Sequence, residues 1–241
     1  MKNSKEKFSL FCMFHKSACI LIFILGISFH THGFTIKNDS TSRIHYDSLT
    51  ESLYHALGNE DLSFDAFSFA YQGYQKLIAE HVVDKKDILT VIDFNKSSKE
   101  DRFFIIDLQK HKIIHESLVA HGKNSGWDIP ESFSNMANSL KSSLGFFLTG
   151  ETYQGKHGLS LKLDGLEKGI NDNARERNIV IHSADYVSES FIDKVGRLGR
   201  SFGCPSLPIK NYTEVIDIIK ERSLIFIFSN QLDYFKTSKF L

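Results

Sequence analysis

Cysteine is nearly missing from this chain once its first segment is set aside. Of 3 cysteines in 241 residues, Cys12 and Cys19 fall within residues 1–33, and Cys204 stands alone in the rest. A single cysteine excludes an internal disulfide framework there and leaves no cysteine-rich zinc site. Proline is as scarce, at 3, and glycine contributes 15, so neither a collagen-like repeat nor a low-complexity disordered chain fits. Charge of one sign is lacking too. The 29 basic and 29 acidic residues cancel, which removes the general attraction to nucleic acid that a basic chain would have. The apolar run at residues 18–29 has only 12 residues, short of the ~20 that a membrane-spanning helix needs.

What is present begins with that run. Lys2, Lys5, Lys7 and Lys16 outnumber Glu6 ahead of it, and small residues follow near Thr31 and Gly33. A basic region, a short apolar stretch and a small-residue boundary read as a secretory signal over residues 1–33, with an uncleaved N-terminal membrane anchor as the alternative. Cys19 lies at the start of the apolar stretch, the wrong place for a lipoprotein cysteine. Four lysines and one glutamate leave with the segment, so the exported chain is mildly acidic and carries three net negative charges. Its unpaired Cys204 has two readings: a buried small hydrophobe, or a nucleophile.

Residues 34–85 read as a linker and helical lead-in. The segment 34–50 is polar and aperiodic. From Leu62 the apolar positions Leu62, Ala66, Phe67, Ala70, Tyr74, Leu77 and Ile78 recur at threes and fours, which predicts a helix with Ser63 or Asp61 as its cap. Residues 86–241 form the main domain. Short β-branched and aromatic runs at 88–94, 102–108, 113–121, 146–152, 159–163, 178–182 and 224–228 predict strands, with a hairpin turn at 109–112. Two helices interrupt them, one capped by Ser188 and ending at Gly196, the other over 213–222. The pattern predicts a mainly β fold with a few helices, a β-sandwich or barrel-like domain and not a doubly wound sheet.

The chemistry gathers at residues 179–208. His182 ends an apolar strand, and Cys204 follows Ser201-Phe202-Gly203. A glycine before a cysteine permits a tight turn, and the N–H groups of Gly203 and Cys204 could then converge as an oxyanion hole. An imidazole within reach, with Arg200 nearby, would lower the thiol's pKa and make it a nucleophile. Spacing alone leaves the alternatives standing: a structural histidine, an inert cysteine, Arg200 as a solvated loop charge and Ser201 as a turn residue. No metal site is expected, since His182, Cys204 and Asp185 lack a second cysteine, and Gly196-Arg197-Leu198-Gly199 lacks the lysine of a phosphate-binding loop.

The run from His182 through Ser201-Phe202-Gly203-Cys204 resembles the active-site signature of the L,D-transpeptidases, the YkuD-type catalytic domain. The resemblance extends upstream through VAHGKNSG (119–126), FSN (133–135), SSLGFFLTGETYQGKHGLSL (142–161) and GLEKGINDNARERNIVIHSADY (165–186). Together these segments resemble the murein L,D-transpeptidase catalytic subfamily and cover most of residues 86–230. The common signature carries an apolar residue and then arginine after the cysteine, where this chain has Pro205 and Ser206. Arg200 is the expected substitute for that charge.

The resemblance implies a cofactor-free cysteine acyltransferase of the bacterial periplasm or cell envelope, acting on peptidoglycan tetrapeptide stems. Cys204 would attack the carbonyl of the L-to-D linkage and release the terminal D-alanine. His182 would take the thiol proton, oriented by a backbone carbonyl, while Gly203 and Cys204, helped by Ser201, would hold the oxyanion. His121, Asn135, Tyr153 and Tyr186 are the expected contacts to the stem. Arg175 and Arg177 are expected in surface ion pairs, and Trp127 as a lid or a packing plug. A hydrolase with the same site, or a non-catalytic wall-binding scaffold, are the alternatives. No nucleic acid is expected as a partner, and the membrane only through an uncleaved leader.

Overall fold

The computed structural model describes residues 48–241; the expected leader and the linker residues 34–47 lie outside them. Helix begins already at Ser48, so the segment read as linker to residue 50 gives way early to α1 (Ser48–Leu57). It is followed by α2 (Phe64–Ala79). Ser63 caps α2 as the sequence predicts: its Oγ accepts from the Ala66 N–H at 3.3 Å and donates to Asp93 Oδ2 at 2.6 Å. Leu62, Ala66, Phe67, Ala70 and Leu77 are buried, which is the predicted apolar stripe. Gly73 breaks the stripe at a cost of about 1 kcal/mol in helix propensity. The reason is close approach, because a Cβ there would run into the Phe146 ring.

The strands are β1 (Ile88–Asp93), β2 (Phe103–Asp107), β3 (Lys112–Ser117), β4 (Gly145–Gly155), β5 (Gly158–Gly165), β6 (Val180–Ser183), β7 (Ser206–Leu207) and β8 (Leu224–Phe228). Between them lie α3 (Glu189–Val195) and α4 (Tyr212–Ile219), and α5 (Leu232–Thr237) follows β8. β2 and β3 form the predicted hairpin, whose turn is tied by Asp107 Oδ1 accepting from the N–H groups of Gln109 and Lys110. One 8-stranded sheet results, in the order β3-β2-β1-β8-β4-β5-β6-β7. β8 enters between β1 and β4, parallel to the first and antiparallel to the second. Its sequence LIFIF and the ILTVID of β1 are buried throughout, as strands covered on both faces must be.

The run expected as one strand over 113–121 is a strand only to Ser117. Beyond it the chain carries on to the other end of the sheet, where Ala120 bridges Ser206 of β7 and Gly122 bridges Ser201. The two edges are thereby drawn together, and the mainly β, barrel-like architecture follows.

One apolar cluster joins α2 to the sheet, with Phe67, Leu77, Leu89, Phe146 and Phe226 among its members. The helical lead-in is thus part of the same core as the strands. A smaller cluster of Leu118, Ala120, Ala184, Val187 and Leu198 underlies the loops at the end of β6. The unforeseen α5 is fastened by buried Glu167, which accepts from Phe146 N–H, Tyr234 Oη and Ser238 Oγ.

Candidate active site

His182 and Cys204 are 22 positions apart, and strand pairing brings them together. In the parallel β6–β7 ladder His182 lies opposite Ser206 and Ser183 opposite Leu207. Since Cys204 stands two residues before Ser206, the register delivers its turn to the end of β6. Both side chains line one cleft of about 430 Å³, shared with Ser201, Arg200, Tyr153 and Tyr186. A larger cleft of about 550 Å³, beside Asp101, Glu116 and Glu189, contains neither.

The cysteine turn requires its glycine. Gly203 has φ +128°, a region essentially closed to other residues, and a Cβ there would lie 2.8 Å from the Lys141 carbonyl oxygen. Ser201 Oγ braces the turn by accepting from Gly203 N–H at 3.0 Å and donating to the Cys204 carbonyl at 2.6 Å. This departs from the expected oxyanion hole. The Gly203 N–H already has an acceptor, whereas the Cys204 N–H has none among the described residues. Ser201 is occupied as a brace.

The His182 ring is fixed from three sides. Nδ1 donates to the Ser183 carbonyl at 2.8 Å, and Nε2 lies 3.1 Å from Ser206 Oγ. His157, at the tip of the β4–β5 hairpin, stacks on it with ring centroids 4.5 Å apart. Burial holds the His182 pKa below the usual imidazole value, and His157 and Lys156 act in the same direction. The half-buried Cys204 thiol is raised by burial, against opposing pulls from the Val180 N–H, Arg177 and Lys156. Its Sγ donates weakly to the Asn178 carbonyl, at 3.6 Å. At neutral pH the resting pair is therefore a neutral thiol and a neutral imidazole, not the depressed thiol expected from the sequence.

Arg200 lines the cleft, but it is not the cation that acts on the thiol. It donates to the carbonyls of Lys123 and Gly126 and lies over the exposed Trp127 ring at 4.8 Å, with Arg197 on the same ring at 3.9 Å. Trp127, 64% exposed, is accordingly held by two arginines and is not a packing plug. Arg177 takes the place expected of Arg200. Far from making a surface ion pair, it reaches the carbonyls of Ser134 and Lys141 and pins that loop beneath Gly203. Arg175 does make the expected ion pairs, with Glu151 and Asp164.

Two further expected contacts lie away from the cleft. His121 is 1% exposed, with Nδ1 accepting from the buried Arg102 at 2.9 Å; burial, together with the Arg102 charge, drops its pKa to about 3. It supports the turn through its backbone, where its carbonyl accepts from Ser201 N–H at 2.9 Å. Asn135 bonds to Asp172 and to the Asn173 N–H and lines a separate depression beside Phe133 and Tyr234. By contrast Tyr153 and Tyr186 do line the Cys204 cleft.

Sequence reasoning left His157, Arg177 and Ser206 outside the site. Gly155 and Gly158 around Lys156-His157 signal a tight turn, but nothing in the sequence says which strand end it overhangs. No curated protein matches this chain. Among solved structures, an L,D-transpeptidase from Mycobacterium smegmatis is 14% identical, with 59% of each chain covered and a TM-score of 0.36. The helical cell shape determining protein Pgp2 from Campylobacter jejuni is 12% identical over 68% of this chain and 57% of that one, with a TM-score of 0.42. The chain thus spans less than two thirds of the length of either. An L,D-transpeptidase from Stackebrandtia nassauensis is 14% identical over 76% of this chain and 77% of that one, with a TM-score of 0.36. The model of the L,D-transpeptidase catalytic domain matches residues 58–228, from the turn before α2 to the last residue of β8. A match over well more than half of its length makes this chain a member of the L,D-transpeptidase catalytic-domain family.

Proposed function

We propose that this chain is an exported cysteine acyltransferase that acts on the peptide stems of peptidoglycan, with Cys204 as nucleophile and His182 as base. The observation that carries the reading is the convergence of Cys204, the one cysteine beyond the leader, and His182 on a single cleft. Family membership supports the substrate class. The basic and apolar leader supports delivery to the periplasm or cell envelope, where that substrate lies.

The neutral resting pair sets the order of events. The thiol proton passes to His182 Nε2 as sulfur adds to the carbonyl carbon of the L-to-D linkage, so charge separates only when substrate is there to receive it. The Cys204 N–H is the backbone donor left to meet the oxyanion, and such a donor is worth ~3 kcal/mol in the transition state. Collapse of the tetrahedral intermediate breaks the C–N bond. D-Alanine leaves with a proton on its nitrogen, and a thioester on Cys204 remains. An amine from a second stem then attacks, giving a crosslink and restoring the thiol; water in its place gives a trimmed stem.

Mass spectrometry of a disaccharide-tetrapeptide incubated with the protein and with its Cys204→Ala variant tests this. Loss of D-alanine together with a crosslinked dimer, only with the intact thiol, is the expected result. Loss of D-alanine without a dimer assigns the site to hydrolysis. Neither product and no adduct on Cys204 would leave a wall-binding scaffold.

A further inference from the structure

Ser206 is wholly buried, and its hydroxyl bridges two groups of the cleft. Its Oγ lies 3.1 Å from His182 Nε2 and 3.1 Å from Tyr186 Oη. The other hydrogen bond of the imidazole sets the direction of these two. Ser183 presents a carbonyl, which can only accept, so Nδ1 carries the ring proton and Nε2 is bare. Nε2 accepts from the Ser206 hydroxyl, and Ser206 Oγ accepts in turn from Tyr186. The lone pair of the base is thus held by Ser206, while the thiol turns to the Asn178 carbonyl. Strand pairing fixes Ser206 opposite His182, and Tyr186 lines the cleft beside Cys204.

We infer that Ser206 and Tyr186 form a hydroxyl relay that returns the proton from His182 to the leaving nitrogen of the substrate. The inference rests on the acyl-transfer reading above. Ser206 gives up its bond to Nε2 as the thiol proton arrives there; Nε2 is then a donor, and the two hydroxyls reverse. The Nε2 proton moves to Ser206 Oγ, the Ser206 proton to Tyr186 Oη, and the Tyr186 proton to the departing amine as the C–N bond breaks. One proton has then crossed from base to leaving group, each hydroxyl again holds one proton, and the thioester remains on Cys204. Nε2 need not face both the thiol and the departing nitrogen. Ser206 acts here as a positioning residue, while Tyr186 meets the substrate.

The test compares two substrates in the full-length protein: the tetrapeptide amide, and a thioester analogue whose terminal D-alanine is replaced by D-thiolactate. An amine must be protonated to leave, whereas a thiol is far more acidic than an amine N–H and departs as its anion without a proton donor. Ser206→Ala and Tyr186→Phe should each slow acylation by the amide by ~10²-fold, the lower end for general acid catalysis, and slow the thioester at least tenfold less. The double variant should lose little more than either single one, and Ser206→Thr should recover most of the amide rate. Equal losses on both substrates would overturn the relay and leave Ser206 a structural brace. Retained amide acylation in both single variants would overturn it too. No adduct from either substrate in the unaltered protein would overturn the acyl-transfer reading itself, and the relay with it.

Discussion

His121 gives the sharpest quantitative test of how the cysteine turn is supported. It is neutral in the fold because burial and the adjacent Arg102 push its pKa from 6.5 to about 3. Unfolding returns it to water. Below about pH 6.5 the unfolded chain then binds a proton that the folded chain refuses, and stability falls with pH. The full contribution is present above 6.5, is lost progressively below it, and levels off near 3. At 1.36 kcal/mol per unit, acidification from neutrality to about pH 4.5 costs about 3 kcal/mol from this one ring. His121→Asn isolates that cost, because the asparagine Oδ1 can occupy the Nδ1 position and still accept from Arg102. Urea unfolding of both proteins at the two pH values measures it. The difference in stability between the two pH values should shrink by about 2–3 kcal/mol in the variant. His115 and His182, both lowered by burial, remain in each protein and cancel. An unchanged difference would refute the burial argument for His121.

Gly203→Ala places a Cβ against the Lys141 carbonyl at a φ of +128°, and should cost about 2–3 kcal/mol in thermal or urea unfolding while displacing the Cys204 turn and abolishing product formation. Arg177→Met removes a cation that lowers the Cys204 thiol pKa, so the midpoint of iodoacetamide alkylation against pH should move upward; a fixed or lower midpoint would return the role to Arg200. Ser63→Ala removes the α2 cap and one hydrogen bond to buried Asp93, and should lower stability by about 1–2 kcal/mol in urea titration.

Elements that carry a local signal are legible in the sequence. The 3.6-residue period of α2, its Ser63 cap, the β2–β3 hairpin and the Gly196 stop of α3 are all written within a few residues of themselves. The misses share a cause. β7 is two residues long, with no period to read. α5 is held by Tyr234 and Ser238 reaching Glu167, some 70 positions away, and its own sequence is too short to declare a helix. The end of β3 is hidden because residues 118–121 are as apolar as a strand. They serve the closure onto β7 and the small cluster beneath the site.

The site divides along the same line. Cys204, His182 and Gly203 are readable because each is bound to a local geometry: a strand end, or a turn that only glycine allows. Electrostatics is not local, and there the sequence misleads. Arg200 lies four positions from the cysteine yet spends its donors on loop carbonyls and its charge on Trp127. Arg177 lies 27 positions away and acts on the thiol, because the chain leading into β6 brings its guanidinium beside Gly203. The same register explains Ser206. In sequence it is only the residue found where the common signature has arginine; in the fold it faces His182 across a parallel ladder. A two-residue pairing therefore does in this chain what proximity in sequence cannot. It decides which hydroxyl meets the His182 imidazole, the contact on which the proposed relay rests.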